Sequence, residues 1–178
     1  MEFIQVENDR WKEIKEIYME AFPKAERKPF FLLKRAVKKE KMQLLAAVEE
    51  GRLLGFAALI PCQDMVMVDY LAVSQQIRSR GTGSRLMQEV SRRFGDKKIV
   101  LLIEKLDDRA ANSEQRLARR AFYLKNGVSS SGIYMRGVSG EMEVMNRGKR
   151  VSKEEYLKLQ KYALGGLLFR LSGIEIAA

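Results

Sequence analysis

Apolar residues recur at three-and-four spacing through Trp11, Ile14, Tyr18 and Ala21, which predicts an amphipathic first helix with Asn8 or Asp9 as its N-cap and Pro23 just beyond its end. The next segment, AFPKAERKPFFLLKRAVKKEK, carries two prolines and a second helical stretch over residues 30–39. The pattern then turns strand-like. Aliphatic runs at residues 42–48, 53–60 and 65–73, separated by the turn-like stretches 49–52 and 61–64, predict three strands in an antiparallel meander.

Past Val73 the pattern becomes strand followed by helix. Leu86, Met87, Val90 and Phe94 give one apolar face to a helix opening near Gly83, and residues 97–104 (KKIVLLIE) read as an apolar strand flanked by charge. Strand, helix and strand in so short a span require a right-handed crossover and a parallel pair. A third helix is predicted over residues 115–125, with Leu117, Ala118, Ala121, Phe122 and Leu124 as its apolar members and Asn126-Gly127 as its C-cap. Two strands follow at 132–138 and 141–145, then a terminal helix from Ser152 with Tyr156, Leu159 and Ala163 in phase, weakening at Gly165-Gly166. The expected fold class is α+β, a mixed, mostly antiparallel sheet flanked by helices. One domain is expected over residues 1–178, with 151–178 as a C-terminal helical extension.

Composition narrows the chemistry. With 46% hydrophobic and 31% charged residues in a chain of 178, the protein has the make-up of a globular domain. Lys and Arg number 33 against 23 Asp and Glu, and the net +10 raises the question of an anionic partner. There is no histidine, which excludes Ser-His, Cys-His and His-ligated metal schemes together. One cysteine, Cys62, excludes an internal disulfide and a CxxC pair; in a predicted turn, without a histidine to activate it, it reads as structural. Glu49-Glu50 and Asp107-Asp108 fit no metal-ligand pattern and read as solvated loop charges, so no metal is expected. The N-terminus mixes both charge signs and the longest mainly apolar run, 53–62, is far short of the ~20 residues of a membrane span, so a cytoplasmic location is expected.

The segment DYLAVSQQIRSRGTGSRLMQEV holds the densest chemistry. A strand ends at Val73, and Arg78-Ser79-Arg80-Gly81-Thr82-Gly83-Ser84 opens an amphipathic helix. Gly81 and Gly83 let backbone approach a ligand, free N–H groups of the helix start face outward, and Arg78, Arg80 and Arg85 add charge: an arrangement that either holds a phosphate or pyrophosphate or is only a polar helix entry. The stretch is neither a P-loop, which needs a Lys after the last Gly, nor a Rossmann fingerprint, which needs a glycine where Leu86 stands.

Arg78-x-x-Gly81-x-Gly83 after Tyr70-Leu71-Ala72-Val73, together with the later FYLKNGV stretch, resembles the two signatures of the GCN5-related N-acetyltransferase (GNAT) superfamily. The order of elements resembles that fold through about Met145, and the AFPKAERKPF segment is similar to one in bacterial members. The resemblance implies a central parallel strand pair that splays apart to admit the pantetheine arm of acetyl-CoA. Backbone groups of Leu71, Ala72 and Val73 would hold that arm, and Arg78, Ser79, Arg80, Gly81, Thr82, Gly83 and Ser84 would hold the pyrophosphate. It implies direct attack of a primary amine on the thioester. Asp69, on the face of Leu71, is the candidate general base, with a structurally paired strand carboxylate as the alternative; Glu26, in the segment that walls the acceptor site, is the second candidate. Tyr123 would give the departing thiolate its proton. One departure is that Arg116 stands where the superfamily commonly has an Asn.

Two other classes compete: a basic nucleic-acid-binding module, motivated by the charge, and an acyl-CoA-binding domain without turnover. Residues 78–125 carry 13 basic and 6 acidic side chains, so +7 of the net charge falls in the segment assigned to the cofactor. The acceptor amine is not legible, and the Leu167-Leu168-Phe169 cluster would serve either the chain's own core or a homodimer.

Overall fold

Aliphatic runs become strands and three-and-four patterns become helices. The computed structural model describes residues 1–6, 10–24, 26–77, 81–137 and 140–176, with the backbone alone at 167. Its elements are β1 (Glu2–Gln5), α1 (Trp11–Ala21), α2 (Phe30–Lys38), β2 (Gln43–Glu49), β3 (Arg52–Cys62), β4 (Met65–Val73), a short 3-10 turn (Gln75–Ile77), α3 (Thr82–Arg93), β5 (Lys98–Glu104), α4 (Ser113–Lys125), β6 (Ser129–Gly137), β7 (Gly140–Arg147), α5 (Lys153–Leu164), α6 (Gly166–Leu171) and β8 (Glu175–Ile176). Among the described residues the strands follow the order β1-β2-β3-β4-β5-β7-β6-β8, antiparallel except for β4 and β5. This is the α+β mixed sheet expected of the chain.

The chain groups into two compact units, Met1–Pro61 with Val68–Arg93, and Cys62–Met67 with Phe94–Ala178. In the first, β1 pairs with β2 so that Phe3 faces Ala47 and Ile4 faces Ala46, and β2 pairs with β3. Strands β2 and β3 are buried on both faces, which is why they read as unbroken aliphatic runs rather than as alternation. Helix α1 buries Ile14 and Tyr18, which periodicity selected, and Ile17, which it did not, while Trp11 and Ala21 stay half-buried; α3 buries the selected Leu86, Met87 and Val90, and Phe94 lies just past its end. The proposed α1 caps, Asn8 and Asp9, lie outside the described residues. Arg10 precedes the helix without a side-chain cap and ties it to the β2–β3 turn through Gly51 O at 3.0 Å.

Where β3 passes the end of β4 the backbones are unusually close. A Cβ on Gly55 would lie 2.5 Å from Ala72 O and 3.1 Å from Val73 Cα, so only glycine fits. Ser74 N then donates to Leu54 O at 2.9 Å, and the chain leaves the sheet.

In the second unit β5 pairs with β7. Strand β6 pairs with β7 through a bulge between Ser130 and Ile133, and the bulge is closed by Ser131 Oγ donating to Val144 O at 2.7 Å. The helix expected from Ser152 is α5. It opens with a reciprocal capping box, Ser152 with Glu155, and buries Tyr156 and Leu159 completely. Glu155 is also paired with Lys98 at the start of β5. The weak point at Gly165-Gly166 is a break before α6, with Gly165 at φ 79°, and the chain then returns as β8, placing Ile176 opposite Met135. Cys62, expected in a turn, is instead the last residue of β3; burial pushes its thiol pKa up, with Asp64 adding to the effect.

Substituting Gly55→Ala drives a methyl group into the β4 backbone, a contact that no side-chain rotation relieves. Urea unfolding is expected to show a loss of about 1–3 kcal/mol; a loss within about 0.5 kcal/mol, the range of an ordinary surface change, contradicts the close approach.

Candidate functional site

The first unit carries the strand end and the helix start that the glycine-rich pattern predicted. Along β4, Val68, Tyr70 and Ala72 are buried while Asp69, Leu71 and Val73 stay partly open, so these three share the face expected from alternation. After the 3-10 turn, Gly81 takes φ 80° with nothing within 4 Å of where a Cβ would point, and its carbonyl accepts from Arg85 N at 3.0 Å to begin α3. Thr82, the first helical residue, is 2% exposed, and its hydroxyl is buried with no hydrogen-bond partner among the described residues. An unmet buried hydroxyl costs about 1–3 kcal/mol. It lies beside N–H groups that an α-helix leaves free at its start, so the cluster has donors to offer an anionic ligand. A phosphate group fits this donor set. Arg78, Ser79 and Arg80 lie outside the described residues; Gly83 and Ser84 are partly open, and Arg85 is exposed.

Next to β4 the α1–α2 connection is held by aromatic side chains. Tyr18 is packed edge-on against Tyr70 with centroids 5.0 Å apart, and Phe22 is packed on the same ring at 4.9 Å. Tyr18 OH donates to Lys28 O at 3.1 Å, Lys28 N donates to Tyr70 OH at 3.2 Å, and Tyr70 OH donates to Glu26 O at 3.2 Å. Burial raises the pKa of both phenols, and the Asp69 carboxylate pushes Tyr70 further the same way. Both remain donors. Sequence reasoning did not find this pair of phenols, because each tyrosine sits in phase with its own element and reads as core.

The side chain of Asp69, the candidate base, is 6% exposed and receives Lys28 Nζ on both oxygens, at 2.8 and 2.7 Å. Its carboxylate is therefore engaged by an internal ammonium, the paired alternative raised for it above. Glu26 is brought beside β4 through its backbone carbonyl.

In the second unit Tyr123 lies on α4, 9% exposed, with its ring against Phe122 at 5.1 Å. Burial pushes its phenol up to about 12, the nearby Arg119 pulling weakly the other way. Helix α4 is tied to the end of β5 through Glu104, which accepts from Asn112 Nδ2 at 3.1 and 3.2 Å and pairs with Arg116 at 3.2 Å and Arg119 at 3.1 Å. Arg116 also donates to Asn112 Oδ1 and to Lys105 O, each at 2.8 Å. The arginine at the position of departure thus binds the chain's own α4 start. Arg120 is paired with Glu143, whose side chain is 3% exposed.

These pairs change the meaning of the +7. Arg92 and Arg93 share Glu89, Lys98 lies between Asp64 and Glu155, Lys105 meets Glu141, and the three α4 arginines have carboxylates. Of these partners Asp64, Glu141, Glu143 and Glu155 lie outside residues 78–125, so the basic excess local to that segment is smaller than its own count, while the net +10 of the chain is unchanged. Among the described residues no group of three acidic or cysteine side chains is arranged for a metal ion, and no helix is long and apolar enough to cross a membrane.

Strand order, helix placement and the glycine-opened α3 define an acetyltransferase-type α+β fold. A sequence model of the Acetyltransferase (GNAT) family matches residues 11–127, and the chain belongs to that family. Among solved structures, it is similar to a GNAT-family protein from Bacteroides thetaiotaomicron, with 16% identity, TM-score 0.73, and coverage of 95% of this chain and 98% of that one. It is similar also to the ribosomal-protein-alanine N-acetyltransferase of Brucella melitensis, at 15% identity, TM-score 0.64, 83% of this chain and 99% of the other. A GNAT acetyltransferase of Elizabethkingia anophelis with acetyl-CoA bound matches at 14% identity and TM-score 0.60, over 83% and 98% of the two chains. No curated protein sequence matches the chain.

Thr82→Val replaces the partnerless hydroxyl with a methyl group of the same shape. The melting temperature of the ligand-free protein is expected to rise, by up to the equivalent of about 1–3 kcal/mol. A fall would mean that the hydroxyl has a structural partner.

Proposed function

We propose that this protein transfers the acetyl group of acetyl-CoA directly to a primary amine of a small molecule or peptide, all 178 residues acting as one transferase domain. The observation that carries this reading is the start of α3, a left-handed Gly81 and a buried Thr82 hydroxyl without a partner among the described residues, where the resemblance to the GNAT signature puts the pyrophosphate, in a chain that belongs to that family.

In this reading backbone groups of Leu71, Ala72 and Val73 bind the pantetheine arm, as a neighbouring strand would, and residues 78–84 bind the diphosphate. The glycines Gly81 and Gly83 admit the ligand to the backbone, while Arg78, Ser79, Arg80 and Ser84 add charge and hydroxyls. Acetyl-CoA supplies an activated acyl group, so the chain needs no nucleophile of its own. That suits a protein without histidine and with a thiol raised by burial. Two proton transfers remain. A primary amine is protonated near neutral pH and must lose a proton before it attacks; Asp69 collects it once its carboxylate is released from Lys28, with Glu26 walling the acceptor side. Tyr123 gives a proton to the thiolate. Burial keeps the proton on this phenol, which at about 12 stays protonated across the working range.

A panel of amines, assayed by release of the CoA thiol, tests the reading. Tyr123→Phe is expected to lower kcat by about 10²-fold, the lower range for a general acid. The ratio to the unsubstituted protein should stay constant between about pH 6 and 9, since the phenol pKa lies well above that window. Full activity of the variant throughout that window sinks Tyr123 as the acid, and absence of thiol release from every amine favours a binding domain without turnover.

A further inference from the structure

Lys28 reaches β4 from the connection between α1 and α2, and its ammonium is held by two groups that recognise amines. Both Asp69 oxygens lie 2.7–2.8 Å from Nζ, and the Tyr70 ring lies 5.6 Å away. A carboxylate beside an aromatic face is the chemistry that binds an ammonium ligand. The lysine is also fixed at its backbone, its carbonyl accepting from Tyr18 OH and its N–H donating to Tyr70 OH, so little freedom separates it from that carboxylate. It is not sealed in, for its side chain keeps 33% exposure while that of Asp69 keeps 6%. Asp69 precedes Leu71 by two residues on one face, about 7 Å along the strand. In the reading above Leu71 begins the stretch that holds the acyl-bearing arm. An amine, a proton acceptor and the acyl-binding strand are therefore brought together by one short segment of the chain.

We propose that Lys28 is an acetylation site of the protein itself: with acetyl-CoA and no other amine, the chain acetylates its own Lys28. This rests on the proposed acetyl transfer and goes beyond it. The Lys28 ammonium gives a proton to Asp69, and the nitrogen lone pair attacks the thioester carbonyl carbon. The C–S bond breaks and CoA leaves as a thiolate. The amide nitrogen sheds its second proton as the thiolate takes one up, so each turnover yields one acetyl-lysine, one CoA thiol and one proton released. The product amide carries no charge. Asp69 then has lost its internal ammonium and is free to accept a proton from an external amine.

The test incubates the purified protein with acetyl-CoA alone and follows each lysine by peptide mass spectrometry, against the same protein unfolded in urea. In the folded protein Lys28 is expected to gain acetyl at least about tenfold faster than exposed Lys12 and Lys15, a modest share of what fixed orientation can supply. In urea that difference should vanish. The rate should not depend on protein concentration. Thiol release without added amine should stop near one equivalent, Lys28→Arg should abolish it, and Asp69→Asn should slow it with the lysine still present. Acetylation of Lys28 no faster than of Lys12 and Lys15 overturns the proposal, and so does a rate that climbs with protein concentration, since that is transfer between copies. Calorimetry with acetyl-CoA separates the two levels: binding without a mark on Lys28 refutes self-acetylation and leaves the transferase reading standing, whereas no binding removes both.

Discussion

The approach of two backbones, a glycine on β3 against a carbonyl on β4, sets where the candidate site begins. Because a Cβ at Gly55 would lie 2.5 Å from Ala72 O, β4 can run to its last residue tight against β3. The chain is then caught by Ser74 N on Leu54 O before it turns toward α3. From the other direction the α1–α2 connection is fastened to the same strand by Tyr70 OH, by Lys28 N and by the Lys28–Asp69 pair. Strand β4 is thus held by the backbone of β3 and by the phenols and ion pair of the α1–α2 connection. Leu71 and Val73 remain partly open, and the helix start beyond them keeps a hydroxyl with no partner among the described residues. Stability is concentrated around the strand and withheld at its end, as a ligand site requires.

Electrostatics divides the same way. The arginines of α4 and of the end of α3 are matched by Glu104, Glu143 and Glu89; these pairs fasten helices and hold the arginines in place more than they project a field. Arg85, beside the α3 start, makes no ion pair among the described residues. A count of charge over a segment therefore overstates what is available to a partner. The positions of the carboxylates decide it.

Much of this was legible in the sequence, and the remainder fails for identifiable reasons. The helical faces of α1 and α3 and the run that became β4 are periodic signals that burial preserved, and Asn126-Gly127 closes α4 with Gly127 at φ 75°. Strands β1 and β8 escaped because they are only 4 and 2 residues long and owe their state to pairing with β2 and β6, a tertiary effect that no local pattern carries. At the site, the glycines and the shared face of Asp69, Leu71 and Val73 follow from spacing alone. The engagement of Asp69 by Lys28 does not, since the two lie 41 residues apart and nothing in either neighbourhood announces the other. Gly55 was equally silent: in an aliphatic run a glycine looks like a weakness, and only the neighbouring strand reveals it as a fit.

The account stands on the end of β4 and the start of α3 as the place where acetyl-CoA is held. Amide hydrogen exchange with and without CoA tests this most directly, because the proposed contacts are made by backbone groups. The account predicts that CoA slows exchange at residues 71–73 and 81–85 while leaving the buried amides of β2 unchanged. Saturable CoA binding with no added protection at either stretch, or with protection confined to α5 and α6, would contradict it.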